Sequence, residues 1–207
     1  MTTIDQLPVF TGVIEPKPLK VCTESSVYRI PEQNLAAKVY RRRHWDDVAN
    51  LVEAELWSPR TVQYALREAT IADRLYQAGV SVPKPEGVFA LRLFENEHLV
   101  PAFLMELITG VSYRDLEYSE RLSVRDKFHE ETAKAARAGF EIKDSSIDHN
   151  VLYVPTEKDI KVYLHDFGGW KHENLKRWMR AEEEKFKKLK STPGFLARIR
   201  NFWRGNE

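Results

Sequence analysis

The chain has 207 residues, 43% of them apolar, and a net charge of +1. It can bury a core as one domain or as two small lobes sharing a cleft, and it is too balanced to be a nucleic-acid polycation. Its single cysteine, Cys22, excludes an internal disulfide and suits a reducing compartment. No apolar run approaches the roughly 18 residues of a membrane span, and Met1-Thr2-Thr3-Ile4-Asp5 lacks the regions of a signal peptide, so a cytoplasmic protein is expected.

The N-terminal stretch, with Pro8, Pro16 and Pro18 and little periodicity, reads as an arm or a strand laid along the domain. Three β-prone runs follow, over 19–22, 26–30 and 35–40, separated by turn-like residues; they predict a meander. The first turn, Thr23-Glu24-Ser25-Ser26-Val27-Tyr28, lacks the glycines that let backbone N–H groups approach a phosphate. Its serines offer small size and a hydroxyl donor, and a plain polar hairpin is the competing reading. In Leu35-Ala36-Ala37-Lys38 a lysine stands inside an apolar run. Burying an ammonium is costly unless it meets an anion. Lys38 therefore either snorkels from a sheet edge or points into a cleft and holds phosphates, with Ala36 small enough for a flat base above it.

A basic knot, Arg41-Arg42-Arg43-His44, and an amphipathic segment over 46–57 come next. Ser58-Pro59 predicts an N-cap with proline at the first helical position, opening a helix over 59–77 that stops at Gly79. Val62, Ala65, Leu66, Ala69, Ala72 and Leu75 form its apolar face. Glu68 sits near that face and must find a cation or stay wet; Lys38 is the candidate. Two further strands, over 87–94 and 99–108, are joined by Glu95-Asn96-Glu97-His98. The second carries Met105-Glu106-Leu107-Ile108 and runs out into Thr109-Gly110.

In the second half a helix is predicted over 119–139, with Leu122, Phe128, Thr132 and Ala136 on or near one face. The polar stretch Lys143-Asp144-Ser145-Ser146-Ile147-Asp148-His149-Asn150 leads into the strand-like Val151-Leu152-Tyr153. An apolar run over 160–164 then ends in His165-Asp166-Phe167-Gly168. A carboxylate at that strand end offers the hard oxygen that Mg²⁺ takes; taken alone it is also an ordinary strand end before a turn. A charged helix over 173–189 follows, with Leu175, Trp178, Met179 and Phe186 as its stripe. A basic amphipathic helix over 194–204 either packs on the rest of the chain or contacts a membrane or a partner.

In this order the motifs resemble the protein-kinase-like fold. Leu35-Ala36-Ala37-Lys38 is similar to the family's Val-Ala-Ile-Lys pattern, and Asp166-Phe167-Gly168 matches its Asp-Phe-Gly. More narrowly, Glu24-Ser25-Ser26-Val27-Tyr28, Lys38-Val39-Tyr40-Arg41 and Ala78-Gly79-Val80-Ser81-Val82-Pro83-Lys84-Pro85 resemble the RIO kinases. The tail past Gly168, without an Ala-Pro-Glu motif, also resembles the small kinase of the tRNA-modifying KEOPS complex and the minimal effector kinases that some bacteria inject into host cells.

The resemblance implies an α+β, two-lobed fold. One lobe spans 1–108, with a five-stranded antiparallel sheet and helix C, and a hinge lies at 105–110. A truncated, mainly helical lobe without an activation segment spans 109–207. It implies ATP and Mg²⁺ as cofactors. Lys38, paired with Glu68, would act on the phosphates. Ser25, Ser26, Val27, Ala36, Met105 as gatekeeper, Glu106 and Ile108 would surround the nucleotide, and Asn150 and Asp166 would hold the metal. Asp144 would be the base, one residue farther from Asn150 than the family pattern and without its His-Arg-Asp signature; Asp148 is the alternative. The implied activity is transfer of the γ-phosphate to a Ser or Thr hydroxyl of a protein substrate, in the chain's own cytoplasm or, for an effector, in a host cytosol. No strong nucleic-acid or membrane partner is expected. A sugar or antibiotic kinase, and a nucleotide-binding pseudokinase or complex subunit, are the alternatives.

Overall fold

The computed structural model describes residues 2–22, 25–40, 59–92, 99–111, 113–143, 146–156 and 159–191. The basic knot 41–44, the segment 46–57, Ser58, the turn 95–98, Asp144 and the helix expected over 194–204 lie outside the described residues.

Six strands form one sheet: β1 (Val9–Phe10), β2 (Lys20–Val21), β3 (Ser25–Ile30), β4 (Leu35–Tyr40), β5 (Pro85–Arg92) and β6 (Leu99–Glu106), in the order β1-β5-β6-β4-β3-β2. The expected five-stranded antiparallel sheet is therefore six-stranded and mixed. Strands β2 to β6 are antiparallel to their neighbours, and β1 adds to β5 in parallel, Val9 opposite Ala90 and Phe10 opposite Leu91. Two residues are too few to show a period. What fixes β1 is tertiary: the Ala90 N–H donates to the Pro8 carbonyl at 2.8 Å, and Phe10 is buried.

The sheet buries both faces, because successive side chains point opposite ways. Tyr28, Ile30, Leu35, Ala37, Val39, Leu91, Val100, Ala102 and Leu104 gather with Phe10 on one face. Tyr40, Val88, Ala90 and Phe103 face the other way, into the cluster that holds helix α1 (Pro59–Gln77). All six residues of β4 are buried, as its place between β3 and β6 requires. Helix α1 begins at Pro59 and ends at Gln77, with Gly79 at φ +74°, a left-handed turn that glycine adopts without Cβ strain.

Helix α2 (Tyr118–Arg137) and the hairpin of β7 (Val151–Pro155) and β8 (Ile160–Leu164) form the second half, with α2 packed against β8. The α2 face differs from the expected one: Val124, Phe128, Glu131 and Ala135 are buried, whereas Leu122 is 53% exposed. Glu131 is an acid at an inward position, satisfied because the Ser81 N–H donates to its Oε2 at 2.7 Å. The Ser81 carbonyl in turn accepts the Leu164 N–H at 2.9 Å, so the segment after α1 hangs the end of β8 from the first half.

Helix α3 (Leu175–Ser191) packs along α1, while its Trp178 also meets Phe140 of the second half at 6.2 Å. Trp178 stacks on His172 at 4.2 Å and lies under the Arg74 guanidinium at 5.2 Å, while Glu183 accepts from Gln63 at 2.7 Å and from the Thr2 N–H at 3.3 Å. No helix among the described residues is long and apolar enough to cross a membrane.

Candidate active site

Strand periodicity builds the site. On β4, Ala36, Lys38 and Tyr40 alternate with Leu35, Ala37 and Val39, so when the latter set enters the outer core the former faces α1 and the space below the sheet. Lys38 is 6% exposed and meets Glu68 of α1, 3% exposed. Its ammonium donates to Glu68 Oε1 at 2.8 Å and Oε2 at 2.9 Å, and to Asp166 Oδ1 at 2.8 Å. Burial pulls Lys38 down in pKa, but Glu68 and Asp166 outweigh it and raise the group to about 12. The Tyr40 hydroxyl donates to Glu68 Oε2 at 2.5 Å. Burial, and then that carboxylate, push the Tyr40 hydroxyl well above its ordinary value, so it stays a donor.

Asp166 follows β8 at φ +65°, a left-handed conformation that few residues other than glycine take, Asp among them. This turn brings its carboxylate to Lys38. Burial pushes Asp166 up, and the Lys38 charge overrides this and holds the carboxyl below its ordinary range. His165 beside it is held down to about 3 by burial and then by Lys20 and Lys38, so it is neutral at physiological pH. Phe167 is buried and meets Trp170 edge-on at 5.2 Å. Arg67, next to Glu68, donates to the Gly168 carbonyl at 3.1 Å and to the Trp170 carbonyl, tying the turn after Asp166 to α1.

A cavity of about 430 Å³ runs from this cluster to the end of β6. Val27, Ala36, Phe103, Met105 and Leu152 line its apolar part, and residues 106–110 form its far rim. The Glu106 N–H is taken by the Lys84 carbonyl at 2.9 Å and the Leu107 N–H by the Asn34 carbonyl at 3.0 Å. Gly110 has to be glycine: a Cβ there would stand 2.9 Å from the Tyr153 carbonyl oxygen.

The structure thus brings Lys38, Glu68 and Asp166 together, and places Val27, Ala36, Met105, Glu106 and Ile108 around the same cavity. Ser25 and Ser26 are buried; Ser25 lines a smaller adjoining cavity and Ser26 lines neither. Asn150 enters β7 opposite the end of β8, and its carbonyl accepts the His165 N–H at 2.9 Å, one residue from Asp166. Asp148 is exposed in the turn before it, with its N–H on the Ser146 hydroxyl at 3.3 Å. Sequence reasoning missed Tyr40, Lys20, Arg67 and His165. For Tyr40 the signal was present: two positions past Lys38 on a strand is the same face.

As a place for Mg²⁺, the donor chemistry fits. The Asp166 carboxylate and the Asn150 amide are hard oxygen donors on adjoining strand ends. The two carboxylates around Lys38 leave one negative charge over. The Asp166 side chain is also 40% exposed, so a ligand can reach it.

No protein-family model matches the sequence, and no curated protein matches it. Among solved structures, the chain is similar to the Rio2 kinase of Chaetomium thermophilum, described as an ADP/Mg²⁺-phosphoaspartate complex, at 16% identity and a TM-score of 0.48. The match covers 88% of this chain and 55% of that one, so this chain spans about half the length of that protein.

Proposed function

We propose that the chain is an ATP- and Mg²⁺-dependent phosphotransferase with a protein-kinase-like division into lobes at 1–108 and 109–207, and that it passes the γ-phosphate to a Ser or Thr hydroxyl of a protein. The observation that carries this reading is the convergence of Lys38, Glu68 and Asp166 at one end of a cavity whose other end is an apolar slot beneath the sheet. A flat base would lie in this slot, which Ala36, Met105 and Leu152 line, with Glu106 and Ile108 at its rim.

Lys38 has three N–H donors, and carboxylate oxygens of Glu68 and Asp166 take all three. A phosphate oxygen binds Lys38 by displacing one of them. Asp166 is the one to give way, since its side chain is 40% exposed against 4% for Glu68. The exchange puts phosphate on Lys38 and frees the Asp166 carboxylate, with Asn150, for the metal. Bound there, Mg²⁺ would neutralise charge on the phosphates. Glu68, held by Tyr40, keeps the Lys38 ammonium aimed while this happens. Asp144 serves as the base that orients and deprotonates the hydroxyl, with Asp148 as the competing assignment.

Incubation with γ-labelled ATP and Mg²⁺ tests the reading. Label is expected on this protein or on an added protein. Lys38→Met and Asp166→Asn should each cut transfer by at least about a hundredfold, a loss of the size that follows removal of one charge-stabilising group. Asp144→Asn should match them and Asp148→Asn should not. Label only on small metabolites would move the substrate class, and ATP binding without transfer would make the chain a pseudokinase.

A further inference from the structure

Register places a second cation over the same cavity. Lys20 pairs with Val27, Val27 with Lys38, and Lys38 with Phe103, one straight row across four strands. Cross-strand partners share a face, so Lys20, Val27 and Lys38 all face the space below the sheet. Lys20 and Lys38 stand two strand spacings apart, about 10 Å, which is the scale of a polyphosphate chain. The Lys20 ammonium crosses the cavity mouth and donates to the His149 carbonyl at 3.2 Å, in the turn before Asn150.

The charge balance calls for such a group. Lys38 is matched by two carboxylates. Arg29, the other cation lining the cavity, lies opposite Ala36 and within 3.9 Å of Glu15, at the base end of the slot. The turn around residue 24 has no glycine, and the Cys22 N–H is already given to the Ser25 carbonyl at 2.8 Å. The sequence thus offers no glycine for a cradle of backbone N–H groups, while the Lys20 side chain lines the same cavity. We infer that Lys20 is a second phosphate-binding cation, holding the phosphates of a nucleoside di- or triphosphate while it keeps its contact with the His149 carbonyl. With three donors on a flexible stem, it can do both at once. It thereby links nucleotide binding to closure of the sheet onto the turn that carries Asn150. This inference rests on the phosphotransferase reading.

Binding of ATP, ADP and adenosine, each with Mg²⁺, to the full chain and to Lys20→Met and Lys20→Arg tests it by calorimetry. Lys20 is exposed on a two-residue edge strand, so an unchanged melting temperature is expected for both variants. Lys20→Met should weaken ATP and ADP by about tenfold, the low end for a charge-assisted hydrogen bond, and leave adenosine within about twofold. Lys20→Arg should restore the phosphate-bearing ligands, and the tenfold gap should shrink as salt rises. Equal weakening of adenosine and ATP would reduce Lys20 to a latch that shapes the slot, and unchanged ATP binding would remove it from the site. In both cases the phosphotransferase reading survives. If the unmodified chain binds neither ATP nor ADP, that reading falls and takes this one with it.

Discussion

The sheet wall of the cavity and the turn that flanks it are built on opposite principles. The sheet wall is dry: every residue of β4 is buried, Lys38 and Tyr40 donate to Glu68, and the remaining Lys38 donor goes to Asp166. The flanking turn, residues 146–150, is exposed at Asp148 and His149 and is tied in by single hydrogen bonds. In the first, charge is fixed by packing, and a lost partner leaves a buried ion. In the second, charge is solvated, and a lost partner is replaced by water. The contrast separates residues whose removal damages the fold from residues whose removal touches only chemistry.

The sharpest break of that contrast pairs one substitution in each region. Lys38→Met leaves Glu68 buried with Tyr40 as its remaining partner, and such orphaned charges cost about 3–5 kcal/mol. Asp148→Ala, on the exposed turn, should stay within about 0.5 kcal/mol. Urea unfolding of both variants checks this. The double variant Lys38→Met with Glu68→Leu should recover much of the loss, because no unpaired ion remains. If Lys38→Met were as mild as Asp148→Ala, water would be reaching Glu68 and the sheet wall would not be dry.

A smaller effect resolves the sheet wall further. Tyr40→Phe keeps the ring and removes the donor to Glu68 Oε2, an acceptor that Lys38 does not fully satisfy alone. The expected cost is about 1.5–3 kcal/mol, the range for one hydrogen bond to a charged group. A double-mutant cycle with Glu68→Gln should show coupling well above the few tenths expected of independent sites. Additive losses would mean that Tyr40 only fills space.

The same contrast explains what was legible in the sequence. Period-two and period-3.6 patterns report burial, so the dry wall announced itself. The run 35–40 and the apolar face of α1 follow from which residues have to leave water, the α1 bounds follow from Pro59 and Gly79, and Lys38 is the candidate partner of Glu68 because both stand on or near those faces. The turn 146–150 carries no period, and the choice between Asp144 and Asp148 is open because neither is separated from Asn150 by the four residues of the family pattern. Of strand β1 only an arm or a strand laid along the domain is legible, because two residues have no alternation to show and the partner of Val9 is the distant Ala90. The α2 face was misplaced because Glu131 points inward, an acid where the pattern asks for an apolar residue, held by a backbone N–H that only the tertiary fold supplies. For α3 the stripe was readable but not its partner: an apolar stripe says that a helix is covered, not by what.

Helix α3 joins the comparison through Glu183, which ties it to the helix carrying Glu68. Glu183 accepts from the Gln63 side chain and from the Thr2 N–H. Burial pushes its carboxyl up, and these donors override burial and leave it below the ordinary glutamate value. A carboxylate held low in the fold contributes stability that is fully present above the unfolded value of about 4.3 and is lost as pH falls through the folded value. The α3–α1 joint should therefore loosen only in acid. Glu183→Gln keeps the shape and removes the titration. Its deficit against the unmodified chain, followed by urea midpoints from pH 6 to pH 3, should be small, steady down to about 4.3, and then shrink. A deficit that does not change with pH would mean that the charge of Glu183 contributes nothing and that shape alone seats α3. In that case Trp178, wedged between His172 and Arg74, is what holds the helix against α1.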